Sequence, residues 1–366
     1  MNSAHFIPSE ESLVFLDFIF STSESSREKA WAGVEQILES GVLTGSLSQL
    51  LPLLYWRCNS ANMHFDGEHD LRYLYLRTWE NNEVAFSKFK DVKQALRIRG
   101  ISFIPLKGYL LCRSYYPDPA TRPMSDIDIL VAPSEWEAAG AALGHIGYEP
   151  EFHPAALQNG RHALLFTDKL TRLSVDLHIQ ITQGGASYRL NDTIWEAAVQ
   201  TYMDGGEETH LYQTDLLFSV LAHSLFFAII PTTRWIPDSL FTISRNPTNV
   251  DWDRLSHFAS ETHLGRLMAK QLIFLKDRYE AAIPESVIAA LSNQKLGWVE
   301  RLGYSFTYRT SRYVLVNKLK KQAFHLLTGL QNLSRAKFGV RAEFVARHLI
   351  NEIRKLLSAV LSRFSA

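Results

Sequence analysis

The sequence predicts an α+β protein. A small mixed β-sheet core with helices, residues 100–190, is flanked by an N-terminal helical region, 1–99, and a C-terminal helical domain with a basic end, 191–366. Three observations predict this division. Residues up to about 98 place apolar side chains at helical spacing. Short apolar or alternating runs, bounded by Gly, Pro and polar turns, gather between Gly100 and Ile181. From Asn191 helical patterns return, broken only at Asp204-Gly205-Gly206 and around Ser244 to Asn249.

Composition narrows the function classes. With 366 residues, 46% of them hydrophobic, the chain has apolar material for one large core or two moderate ones, which excludes a disordered or collagen-like protein. Lys+Arg and Asp+Glu both total 38, so no overall positive field drives sequence-blind binding to duplex DNA. Cys58 and Cys112 are too few for a disulfide framework or a thiolate zinc site and fit a reducing compartment. The first twenty residues carry Glu10, Glu11 and Asp17 and no basic leader, unlike a signal peptide. The most apolar run, Leu216 to Ile230, contains His223 and falls short of the about 20 residues a membrane span needs. It reads as a buried helix, so the expectation is a soluble, cytoplasmic protein without a membrane span.

The elements follow in order. Ala30, Val34 and Ile37 share one helical face that Gly41 ends, and Ala85, Phe89, Val92 and Leu96 form a second stripe before Gly100. Both read as packing surfaces. Ile101 to Leu106 is a buried-strand candidate, and Tyr109 to Tyr116 a helix. Pro117, Pro119 and Pro123 force a loop. Asp126 to Val131 is a second strand, and a helix opens after Pro133 with Ser134 as its expected cap. Arg161 to Thr167 and Arg172 to Ile181 are two further strands joined by a turn at Asp168-Lys169. The stretch from Arg312 holds eleven Lys or Arg against Glu343 and Glu352, and Phe344 to Phe364 is amphipathic. A solvated face, an RNA contact or a membrane-surface or partner helix are its readings.

Chemistry concentrates on two of these strands. Side chains alternate along a strand, so Asp126 and Asp128 share one face while Ile127, Ile129 and Val131 take the other. Their backbones lie about 6.5–7 Å apart, near enough for both carboxylates to reach one cation. Two such charges repel unless a hard divalent ion such as Mg²⁺ joins them. A strand end with two solvated aspartates is the alternative. In the later strand, Ser174, Asp176, His178 and Gln180 form a polar face opposite Val175, Leu177, Ile179 and Ile181. If the two strands are neighbours, Asp176 joins Asp126 and Asp128, the carboxylate set that in-line phosphoryl or nucleotidyl transfer requires. Lys107-Gly108 lies where a strand gives way to a helix, a place suited to phosphate. Lys107 supplies a point charge, Gly108 allows close backbone approach and Arg122 offers a bidentate fork.

The run FIPLKGYLLCRSYYPDPATRPMSDIDILV resembles the nucleotidyltransferase superfamily that includes DNA polymerase β and the aminoglycoside nucleotidyltransferases. It is most similar to the large branch of uncharacterised nucleotidyltransferases. The resemblance rests on Leu106-Lys107-Gly108, on Arg122 with Ser125-Asp126-Ile127-Asp128, on Asp176-Leu177-His178, on His223, and on Trp235-Ile236-Pro237-Asp238. It covers roughly residues 100–255. Tyr109 departs from the pattern, because a small residue usually follows the turn glycine and contacts the triphosphate. The resemblance implies transfer of a nucleoside monophosphate from an NTP, ATP foremost, to a hydroxyl or similar acceptor on a small molecule, peptide or protein. It implies Asp126, Asp128 and Asp176 as catalytic residues and ligands of one or two Mg²⁺ ions, with Mn²⁺ as a substitute. Lys107, Gly108, Arg122 and Ser125 would bind the nucleotide, and His178 and His223 would stand on the acceptor side. Two other readings remain: a toxin-like enzyme modifying tRNA or a protein, its basic C-terminal helices gripping RNA, and a non-catalytic binding module. The intact carboxylates argue against the last. Arg234, Trp235 and Asp238 read as a buried link between the helices and the sheet. Acceptor, NTP base and oligomeric state have no linear signature.

Overall fold

Ile127, Ile129, Leu130 and Val131 have no exposed surface, which places their strand inside a sheet and not at its edge. In the computed structural model, which describes residues 6–41, 45–151, 163–181, 190–203, 206–226 and 233–294, that strand is β2 (Asp126–Val131). Its neighbours are β1 (Phe103–Pro105), antiparallel, and β5 (Ser174–His178), parallel. Antiparallel β4 (Ala163–Asp168) and β3 (Tyr148–Pro150) complete a mixed sheet of order β1-β2-β5-β4-β3. A parallel pair needs a long crossover. Here it runs through a helix, Trp136–His145, and the hairpin-like β3–β4 pair.

The two faces of the sheet meet different cores. Ile127, Ile129, Val131, Leu164, Phe166, Val175 and Leu177 pack on one side against three helices. These are α5 (Glu68–Ile98) through Ala85, Phe89, Val92 and Leu96, α6 (Lys107–Ser114) through Tyr109 and Cys112, and α7 (Trp136–His145) through Ala139, Ala142 and Leu143. The second stripe read from the sequence is this α5 surface. On the opposite face, Leu130 follows Asp126 and Asp128 at period two and joins a larger core with Ile104 and Leu106.

That larger core unites the N-terminal helices with those that follow the sheet. Phe15, Leu16 and Phe18 of α1 (Glu10–Phe20) and Leu54 of α4 (Leu51–Ser60) pack in one cluster with α9 to α12. Those helices are α9 (Gln213–Phe226), α10 (Trp235–Arg245), α11 (Trp252–Glu261) and α12 (Gly265–Tyr279). The Trp235 indole N–H donates to the Phe6 carbonyl at 2.9 Å, and Arg278 pairs with Asp17 at 2.6 Å. The remaining described helices are α2 (Glu24–Glu39), α3 (Gly45–Ser48), α8 (Leu190–Ala197) and α13 (Glu285–Ser292). Leu216, Leu217, Phe218 and Leu221 of α9 are wholly buried, as the apolar run predicts. No helix among the described residues is long and apolar enough to cross a membrane.

Several elements differ from the sequence reading. The first strand is trimmed to three residues, and its helix begins at Lys107 instead of Tyr109, because Leu106 already has the extended conformation of a cap position. Ser134 does not cap α7; Glu135 occupies that position without a side-chain hydrogen bond. Residues expected to be helical form a hairpin of β6 (Val199–Met203) and β7 (Gly206–His210). Val199, Thr201, Tyr202 and Thr209 favour strand, and this preference outweighs the helical spacing around them. Strand β3 was not anticipated; it follows Gly147, whose φ of 94° only glycine adopts freely. The basic stretch from Arg312 and the amphipathic 344–364 lie outside the described residues.

Candidate active site

The parallel β2–β5 pairing decides where the acidic residues meet. Its register sets Asp128 directly beside Asp176 and Asp126 beside Ser174. The alternation that buries Ile127 and Val175 aims these carboxylates at the opposite face. His178 lies two residues beyond Asp176 on the same face, and its ring is 3% exposed. Its Nε2 stands 2.9 Å from Asp128 Oδ1 and 3.2 Å from Asp176 Oδ2. One ligand atom from each of Asp128, Asp176 and His178 falls within 4.8 Å of the other two, a group able to hold a metal ion.

Charge is unevenly balanced across this cluster. Burial works against the charged His178 ring, yet Asp176 and Asp128 outweigh it and raise its pKa to about 9. Burial likewise opposes ionisation of Asp128, but Lys107 and the His178 hydrogen bond hold its carboxyl well below the usual range. For Asp126 the one cation that acts among the described residues is Arg234, and its effect is the weakest of those on this carboxyl. Burial and the neighbouring Asp128 push its pKa up, only partly offset by the Ser125 hydroxyl, which lies 3.1 Å from Asp126 Oδ1.

Lys107 begins α6 and extends beneath the carboxylates. Its ammonium is 3.0 Å from His223 Nδ1 on α9. An ammonium only donates, so Nδ1 accepts and the neutral ring carries its proton on Nε2. Burial, reinforced by Lys107, keeps the His223 pKa well below the ordinary value. Gly108 packs between loop and strand: a Cβ there would meet Arg122 Nη1 at 3.5 Å and the Asp126 carbonyl at 3.7 Å. These are ordinary contacts, so protein packing alone does not demand glycine at this turn.

Arg122 is held differently from Lys107. Its Nε and Nη2 donate to the two carboxylate oxygens of Asp238 at 2.8 and 2.9 Å, and Nη1 is the atom beside Gly108. Burial disfavours the guanidinium charge, but Asp238 overrides it and raises the pKa. Tyr116 donates to the same Asp238 at 2.7 Å, and Arg234 Nη1 donates to the Pro123 carbonyl at 2.9 Å. Arg234 and Asp238 thus tie α10 to the loop that leads into β2, whereas Trp235 bonds to Phe6 near the N-terminus and not to the sheet.

Two contributors went unread in the sequence. Asn82 on α5 donates to the Pro119 and Arg122 carbonyls at 2.7 and 2.9 Å and so fixes the proline loop. Its one signal is position: it interrupts the apolar stripe one turn before Ala85 and Phe86. Lys93, on the same helix, forms a buried pair with Glu208 of β7. Tyr109, the departure from the family turn, sends its ring away from the carboxylates. It packs on Phe89 with centroids 4.6 Å apart and reaches Lys93 and Glu208 through its hydroxyl.

The sequence pattern of the family described as "Uncharacterised nucleotidyltransferase" matches residues 46–280, more than half of the chain. The chain belongs to this family. The match spans Lys107, both acidic strands, His223 and Asp238, and it also takes in α4 and α5. No curated protein and no solved structure matches the chain. Membership in a nucleotidyltransferase family implies an NTP substrate, and Asp128, Asp176 and His178 form a candidate metal centre.

Proposed function

We propose that the protein is a Mg²⁺-dependent enzyme that moves a nucleoside monophosphate from an NTP, ATP foremost, to a hydroxyl or similar acceptor on a small molecule, peptide or protein. The observation that carries this reading is the register of β2 on β5, which pairs Asp128 with Asp176 and keeps Asp126 two residues away on the same face. Asp126 and Asp128 would hold a divalent cation, which when bound would offset the charge developing on the transferred group. Asp176 completes the site and takes the acceptor's proton. The acceptor oxygen then bonds to the α-phosphorus, the bond to the β-phosphate oxygen breaks, and pyrophosphate leaves with the electron pair.

The remaining residues bind and orient. Lys107, Gly108 and Ser125 meet the triphosphate at the start of α6, where backbone N–H groups lack helical partners. Arg122 serves the nucleotide through Nη1 while Asp238 holds its other two nitrogens. His223, with its proton on Nε2, is a donor on the helical side of the cleft and faces the acceptor. The test is incubation of the purified protein with each α-labelled NTP, Mg²⁺ and a cell extract. Label appears on one class of acceptor with the wild-type chain and not with Asp176→Asn. Equal labelling by both proteins would defeat the assignment.

A further inference from the structure

We propose that His178 is itself a metal ligand through Nε2, giving the Asp128–Asp176 side of the cleft a donor set of two carboxylates and one imidazole that takes Mn²⁺ or a neighbouring first-row ion ahead of Mg²⁺. The inference rests on the nucleotidyl-transfer reading and sharpens it, because that reading by itself needs only oxygen ligands.

The placement of the ring is the first argument. Period-two alternation on β5 puts Asp176 and His178 on one face with Leu177 in the core between them. The register sets His178 beside Leu130, so the ring lies diagonal to Asp128 across the strand pair and within reach of both carboxylates. The second argument is metric. An octahedral ion with ligands at about 2.1 Å has cis edges of about 3.0 Å. Nε2 lies 2.9 Å from Asp128 Oδ1 and 3.2 Å from Asp176 Oδ2, which matches two such edges. Without a cation, the same distances serve a charge-assisted hydrogen bond from the protonated ring. Proton and metal ion therefore contend for one position between the same three atoms.

Donor chemistry then sets the preference. Mg²⁺ favours oxygen ligands and keeps its waters, whereas imidazole suits transition ions. His223 is not an equivalent donor, since its Nδ1 is taken by Lys107. Asp126 offers only oxygen, and it remains for the cation that arrives with the triphosphate.

The test uses the full chain stripped with chelator, then titrated by calorimetry with Mn²⁺ or Mg²⁺, and pulsed EPR of the Mn²⁺ form. Mn²⁺ is expected to bind more tightly than Mg²⁺, and the spin echo to show coupling to a directly bonded nitrogen. His178→Gln, whose melting temperature is measured in parallel, should remove that coupling and weaken Mn²⁺ binding by roughly 10–100-fold, with a smaller loss for Mg²⁺. The wild-type spectrum is informative even if the variant folds poorly. Absence of nitrogen coupling, or equal losses for both ions in a folded His178→Gln, overturns the inference. If Asp126→Asn abolishes cation binding while His178→Gln leaves it unchanged, the site is oxygen-only and nucleotidyl transfer stands. If neither ion binds, with or without a non-hydrolysable NTP, the functional reading itself falls.

Discussion

Asp128 and Asp238 are both carboxylates within reach of a cation on the 107–122 segment, yet their surroundings differ in kind. Asp238 receives two nitrogens of Arg122 and the hydroxyl of Tyr116, and all three residues are buried. Both oxygens of Asp238 are matched by donors there, so that carboxylate is closed to a cation from outside. Asp128 instead draws on Lys107 and shares His178 with Asp176, while Asp126 stands beside it with its ionisation opposed by burial and repulsion. A packed interior gains nothing from holding like charges together. The matched cluster fixes the proline loop; the mismatched one is built to receive a cation from outside.

That contrast is broken most sharply by Asp128→Asn. Transfer should fall by about a thousandfold or more, since an amide keeps the shape and loses the charge, a barrier change of about 4 kcal/mol. The metal-free protein should also melt lower, because Lys107 and His178 lose their counter-charge. Label transfer and a thermal melt measure the two effects together. Arg122→Ala should act mainly on folding. It leaves Asp238 as an uncompensated buried charge at a cost of about 3–5 kcal/mol, and denaturant unfolding should show that Arg122→Ala and Asp238→Ala combined cost less than their sum. A large loss of NTP affinity in Arg122→Ala without loss of stability would erase the distinction between the clusters.

Lys107→Met tests the cation nearest the proposed triphosphate. A charge-assisted contact contributes roughly 1.5–3 kcal/mol, so affinity for a non-hydrolysable NTP should fall by about one to two orders of magnitude by equilibrium titration. The smallest effect is one of pH. His178 has its pKa raised from 6.5 to about 9, so its stabilisation of the metal-free protein is full below about pH 6.5 and is lost as pH rises through about 9. The wild-type melting temperature should therefore decline across that window, by roughly 2 °C or more, and His178→Gln should decline less. Parallel curves for both proteins would deny the ring its protonated, bridging role.

The acidic strands were legible because period-two alternation is a local property: Asp126 with Asp128, and Asp176 with His178, reach shared faces whatever surrounds them. Their parallel pairing was not legible, since it depends on a crossover through α7, β3 and β4 that no local pattern encodes. The partnership of Arg122 with Asp238 was hidden for the same reason, since they stand 116 positions apart in the sequence. Asn82 shows the limit of periodicity in the other direction. A polar residue on an apolar stripe is visible, but its targets, the Pro119 and Arg122 carbonyls, belong to a loop. The break at Asp204-Gly205-Gly206 is legible in the sequence, but the strands on either side, β6 and β7, are not, because their apolar spacing also fits a helix.

Asp126→Asn tests the central claim most directly, because Asp126 is the residue whose charge folding disfavours and function requires. Thermal melts of the metal-free protein and calorimetric titration with a non-hydrolysable NTP, with and without Mg²⁺, are read on the same sample. The account predicts a melting temperature equal to or above that of the wild type, together with loss of the cation-dependent part of NTP binding. A lower melting temperature with unchanged cation-dependent binding would contradict it, and would return Asp126 to the structural side of the comparison.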